Sequence, residues 1–133
     1  MLPINWLAVL AAVVVRMLVG GVWYSPLLFV KPWQALTGVT PESMRSGLGK
    51  AIVLDLVMSL LMAVALATII GLAHVTDWSG GALIGLWSWV GFVLATQLPL
   101  MTYENRSLKL IAINTGAILV SLVLMGALLG GWH

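Results

Sequence analysis

The chain holds no cysteine, which excludes disulfides, thiolate nucleophiles, Cys-ligated zinc and Cys-held iron–sulfur clusters. Charge is scarce too: 8% of the 133 residues are Asp, Glu, Lys or Arg. The six Lys/Arg are spread thinly instead of gathering into the patch that nucleic acid requires, so no nucleic-acid partner is expected. The two imidazoles, His74 and His133, have no ligand set around them, and no metal and no cofactor is expected. His74, in a loop near Asp77, reads as a solvated or capping side chain. Neither a Ser-His-acid arrangement nor a glycine-rich phosphate loop occurs, and the chain is expected not to be an enzyme.

What the chain does have is apolar surface. Sixty-two per cent of it is hydrophobic and its mean hydropathy is +1.12, beyond what a soluble globule can bury. Seven Trp stand against two Phe and two Tyr, and indole rings favour the membrane interface, where a flat apolar body meets a wet N–H. Four runs of roughly 20 residues have the length a hydrocarbon core requires. They cover Pro3 to Tyr24, Lys50 to Leu72, Gly80 to Leu98 and Ser107 to Leu129. The expected fold is all-α, a polytopic membrane bundle of about four transmembrane helices forming one domain over residues 1–133.

Pro3 is acceptable in the first turn of run one, where its missing N–H costs nothing. That run ends in Trp23-Tyr24-Ser25-Pro26, with proline disfavouring helix before it and the aromatic pair at headgroup level. Between runs one and two, Pro26, Lys31, Pro32, Trp33 and Gln34 mix apolar, basic and aromatic residues as interfacial segments do. Thr40-Pro41-Glu42 then reads as a helix start, with a capping hydroxyl, proline at the first helical position and an early acid. The connections after runs one and three carry Lys31, Arg45, Lys50, Arg106 and Lys109, whereas His74 to Ser79 carries no Lys or Arg. By the positive-inside rule both termini are expected to face away from the cytoplasm. The first residues lack the basic stretch of a cleaved signal, so run one is expected to remain as a span.

A few polar side chains interrupt the apolar runs. Arg16 and Asp55 stand at similar depths from the same membrane face. An unpartnered charge there costs roughly 2.5–3.5 kcal/mol, so the two are expected to pair and lock two helices together, or Arg16 to snorkel to the interface, the alternative being that they form part of a proton or anion path. On a helical wheel Asn5, Ala12, Arg16 and Trp23 share a stripe of run one, flanked by Ala8 and Gly20, and that face is expected to look inward. Asn114, Gln97 and Ser59 are expected to hydrogen-bond neighbouring helices, which contributes about 0.6–2 kcal/mol each. Glu104 and Arg106 read as a solvated ion pair or a clasp onto the Trp33 segment, the alternative being that the loop docks a partner or a headgroup phosphate through Arg106. Gly81-x-x-x-Gly85 and Gly126-x-x-x-Gly130 mark places where helix backbones approach closely, within one chain or between chains.

Several of these residues carry a resemblance. Asn5-Trp6, Gly20-Gly21-Val22-Trp23-Tyr24-Ser25-Pro26, Leu28-Phe29, Lys31 and Trp33, followed by Tyr103-Glu104-Asn105-Arg106, Ile113-Asn114, Met125-Gly126 and Trp132, resemble the DUF1761 family of small bacterial membrane proteins. The similarity runs along almost the whole chain. It implies a location in the bacterial cytoplasmic membrane and implies no particular activity; Arg16 stands where the resemblance implies a small or apolar residue. Trp23, Tyr24, Ser25, Pro26, Lys31, Trp33, Glu104 and Arg106 are the family-motif residues it singles out. With ionisable groups sparse and small-residue helix faces present, the expected role is a non-enzymatic assembling or accessory subunit in the lipid bilayer, as a homo-oligomer or within a larger complex. The alternatives are a small homo-oligomeric transporter or channel using Arg16, Asp55 and Asn114, and a membrane-embedded enzyme.

Overall fold

A computed structural model of the chain describes residues 3–133, and all regular structure among them is helical. Helix α1 spans Trp6–Trp23, α2 Val30–Thr37, α3 Pro41–Ser46, α4 Leu48–Leu72, α5 Trp78–Tyr103 and α6 Leu108–Gly131. Four of them, α1, α4, α5 and α6, are long and apolar enough to cross a membrane. At 1.5 Å per residue, α4 and α6 reach about 36 Å, more than a hydrocarbon core of about 30 Å.

Local chemistry sets the ends. Pro3 lies outside the first turn of α1, contrary to the sequence expectation, because the Asn5 carboxamide caps the helix and accepts the Ala8 N–H at 3.2 Å. Thr40 opens α3 as expected, and its partner is Ser43: each side chain accepts the other's backbone N–H at 3.1 Å. The Ser107 hydroxyl accepts from Lys109 and Leu110 at the start of α6.

The apolar pattern ends run three at Leu98, whereas α5 continues to Tyr103. Pro99 keeps helical angles (φ −59°, ψ −18°), and the Met101 and Thr102 N–H groups reach the Leu98 and Pro99 carbonyls at 3.1 and 3.0 Å. Before that proline the helix widens into a π segment, Trp89–Leu94. There the Thr96 hydroxyl donates to the Phe92 carbonyl at 2.7 Å and the Val93 carbonyl at 3.1 Å, serving backbone acceptors inside the widened stretch.

Helix α6 is the centre of the bundle. Half of its apolar window is buried, against 6% for α5. Toward the end where α1 begins and α6 finishes the core is apolar: Ala8 and Ala12 of α1 and Ala63 of α4 let the helices close on Leu66, Met125 and Leu129. Helix α5 leans on α6 through four glycines. A Cβ on Gly81 would strike the Gly126 carbonyl oxygen, one on Gly85 the Leu122 carbonyl oxygen, and one on Gly130 the Asp77 carbonyl oxygen. Both small-residue spacings are therefore spent on one intramolecular, antiparallel contact in which backbone meets backbone.

The opposite end carries Lys31, Arg45, Lys50, Arg106 and Lys109 and forms the basic end of the bundle. Here the bundle opens. From Leu48 to Met58 every residue of α4 is exposed except the half-buried Asp55, so the first three turns of α4 stand away from α1 and α6.

Candidate functional site

At the basic end of α1 the chain reverses through a knot of aromatic rings. The Ser25 hydroxyl donates to the Val22 carbonyl at 2.6 Å and accepts the Leu27 N–H at 3.2 Å, a serine turn that Pro26 cannot disturb because it has no N–H to place. The Phe29 N–H returns to the Trp23 carbonyl at 3.0 Å, which brings the Phe29 ring to 4.8 Å from that of Trp23. One turn later Trp33 meets Tyr24 edge-on at 5.6 Å. Helix α2 is thus folded back beneath α1 by the motif residues themselves.

The same pair, Trp23 and Tyr24, holds α6. The Trp23 indole N–H donates to the Ile113 carbonyl at 2.8 Å, and the Tyr24 hydroxyl donates to Asn114 Oδ1 at 2.8 Å. Gly116 makes room, for a Cβ there would stand 2.9 Å from the Trp23 ring. Burial pushes the Tyr24 hydroxyl above its usual value; Arg16 nearby pulls the other way and Asp55 adds to the rise. The phenol therefore keeps its proton and serves as a donor.

Between this clasp and the parted turns of α4 lies a cleft of about 490 Å³. Arg16, Asp55 and Asn114 all line it, beside Tyr24, Trp33 and Gly20. Arg16 and Asp55 each stand seven residues from the basic end of their helices, about 10 Å deep. The Arg16 Nη2 lies 3.6 Å from Asp55 Oδ1, an ionic contact too long for a good hydrogen bond. Side chains on a helix normally lean toward its N-terminus. Arg16 leans the other way, since a Cβ on Gly20 would be 3.3 Å from its Nη1. The guanidinium thus snorkels toward the basic end over a glycine that yields the space. Its Nε is buried with no acceptor among the described residues. The two carboxylate oxygens and the guanidinium fork are far from saturated by one contact at that distance.

A second groove, about 430 Å³, adjoins the first at Tyr24, Met44 and Leu48. It runs between α2 and α3, with Lys31 and Arg45 among its lining residues. The Gln34 amide lies 3.0 Å from the Met44 sulfur across it.

The other singled-out residues fall elsewhere. The buried Ser59 hydroxyl reaches the Met17 sulfur at 3.7 Å, joining α4 to α1. Gln97 sits half-buried on α5 and makes no side-chain hydrogen bond among the described residues. Glu104 and Arg106 pair with each other at 2.8 Å across an exposed turn whose middle residue, Asn105, takes a left-handed conformation (φ 50°) that asparagine tolerates. Among the described residues no cluster of His, Cys, Asp and Glu is placed to hold a metal. Two contacts have no signal in the sequence: the Trp89 indole N–H donates to the Thr115 carbonyl at 2.8 Å, and Gly116 seats Trp23. Both depend on which faces of distant helices meet.

The family model described as "Protein of unknown function (DUF1761)" matches residues 7–130, nearly the whole chain, and the chain belongs to that family. No curated protein and no solved structure matches it.

Proposed function

We propose that this member of the DUF1761 family is a non-enzymatic accessory or assembling subunit, working through helix contacts inside a bacterial cytoplasmic membrane with both termini on the non-cytoplasmic side. The observation that carries the proposal is Trp87. It stands nine residues into α5, about 13 Å along the helix from Trp78, is 66% exposed, and donates no hydrogen bond among the described residues. An indole belongs at the interface or against a protein acceptor, and lipid tails at that depth offer no acceptor. Leu83 and Gly91, one turn on either side, complete a ridge-and-notch face turned away from α6, and a Cβ on Gly91 would touch nothing. A second helix laid on that face supplies what Trp87 lacks, in a homo-oligomer or a larger complex.

Mild extraction from the native membrane followed by mass analysis tests this. The 14.2 kDa chain is expected to emerge in an assembly, and Trp87→Leu is expected to release it. A wild-type protein recovered only as a monomer refutes the proposal.

A second reading, a small homo-oligomeric transporter, is favoured by the gathering of Arg16, Asp55 and Asn114 on one cleft. The cleft is blind in a single chain, because Ala12, Val13, Ser59 and Ala63 pack beyond it. A path across the membrane would need a further copy, and Asp55→Asn in a flux assay separates this reading from the first.

A further inference from the structure

We propose that the joined grooves at the basic end hold one anionic phospholipid, its phosphate on Lys31 and Arg45 and its ester carbonyls facing Arg16 and Asn114. This site does not involve the Trp87 face and stands whether or not a helix docks there.

The two grooves meet at Tyr24, Met44 and Leu48, so an occupant can run from the membrane surface to a depth of about 10 Å. Their charged lining is three cations, Lys31, Arg45 and Arg16, against one carboxylate, Asp55. Glu42 and Lys50 stand nearby on α3 and α4, exposed and outside the lining, and they offset each other. The lining therefore keeps a surplus of positive charge, and basic pockets between helices at a membrane edge suit anionic headgroups.

Depth sorts the chemistry further. Lys31 and Arg45 lie on the short surface helices, at the level of lipid phosphates. Arg16 and Asn114 lie below them, where ester carbonyls come next. Those carbonyls accept hydrogen bonds and carry no charge, which suits donors that already have partial partners. Arg16 offers a buried Nε without an acceptor among the described residues, and Asn114 spends its carbonyl on Tyr24 and keeps its amide hydrogens for another acceptor. Between those two levels Leu48, Ala51 and Ile52, in the first turns of α4, line the cleft as an apolar wall for the acyl chains as they leave toward the bilayer. A free phosphate has the charge for this place but nothing to fill the apolar wall; a neutral lipid has the chains but leaves Lys31 and Arg45 unpaired.

Full-length protein in a neutral detergent, titrated with dioleoylphosphatidylglycerol, dioleoylphosphatidylcholine or inorganic phosphate and read by native mass spectrometry and thermal shift, tests the assignment. Phosphatidylglycerol is expected to be retained at one per chain. Lys31→Gln with Arg45→Gln is expected to weaken it on the order of thirtyfold, from two lost headgroup contacts. Arg106→Gln with Lys109→Gln removes two cations from the same membrane face outside the grooves and is expected to change little. Met44→Trp narrows the junction without altering charge and is expected to abolish retention. Equal retention of phosphatidylcholine, an equal shift from inorganic phosphate, or equal weakening by the two double variants each overturns the proposal.

Discussion

Replacing Gly81 by Ala tests the backbone contact between α5 and α6 most directly. The added Cβ would overlap the Gly126 carbonyl oxygen and stand 2.8 Å from its carbon and 3.0 Å from the Gly130 Cα. Carbon atoms rest at about 3.5–4.0 Å, so the helices must part locally by roughly 1 Å. No flexible side chain is available to give way, because both surfaces are backbone. Overpacking of this kind costs about 1–3 kcal/mol. Gly21→Ala supplies the contrast: its Cβ would meet nothing within 4 Å, and relief of glycine's conformational freedom in α1 is worth up to about 0.5–1 kcal/mol in the other direction. Thermal unfolding in a neutral detergent, followed by tryptophan fluorescence, should show the two substitutions with opposite signs. Gly81→Ala combined with Gly126→Ala should cost less than the sum of the singles, since one separation of the helices accommodates both. A Gly81→Ala protein as stable as the wild type would refute the close antiparallel contact.

Other consequences can be checked by the same assay. Arg16→Leu leaves Asp55 alone within the span and should cost about 2.5–3.5 kcal/mol, whereas Arg16→Leu with Asp55→Leu should recover most of that loss. Tyr24→Phe should cost about 0.6–2 kcal/mol, and its effect should vanish in an Asn114→Leu background, where the hydrogen bond is already gone. Because the raised Tyr24 value stabilises the protonated phenol in the fold, that contribution is complete below pH 10.0 and is lost as pH rises from there through the folded value; alkaline destabilisation should be smaller in Tyr24→Phe than in the wild type. Glu104→Ala breaks an exposed pair and should change stability by less than about 1 kcal/mol.

Helix count and membrane depth are legible in the sequence because they follow from properties of single segments. Apolar length marks each span, and counting residues from the ends of the first two runs puts Arg16 and Asp55 at matching depth. The motif residues Trp23-Tyr24 and Ile113-Asn114 are visible too, but not their mutual contact, since that depends on the rotation of α6 about its axis. The glycine spacings in α5 and α6 likewise announce close approach without naming the partner, and the fold assigns each to the other. The cleft is illegible for a different reason. It exists because α4 parts from its neighbours, and a uniformly apolar helix gives no periodic signal of where it stops touching. The extension of α5 past Pro99 escapes a sequence reading because proline's usual effect on the preceding residue is overridden when the chain keeps helical angles there.

The central position of α6 has a consequence for biogenesis. It is the last of the four spans to leave the ribosome, yet α1 and α5 both rest on it, and the Trp23 and Tyr24 donors find their acceptors only there. Until it arrives, the earlier spans must wait in the bilayer as a loose set, with Asp55 as the first partner available to Arg16. The Arg16–Asp55 contact needs only α1 and α4, so it can form while the keystone of the bundle is still being made, and it persists in the finished fold.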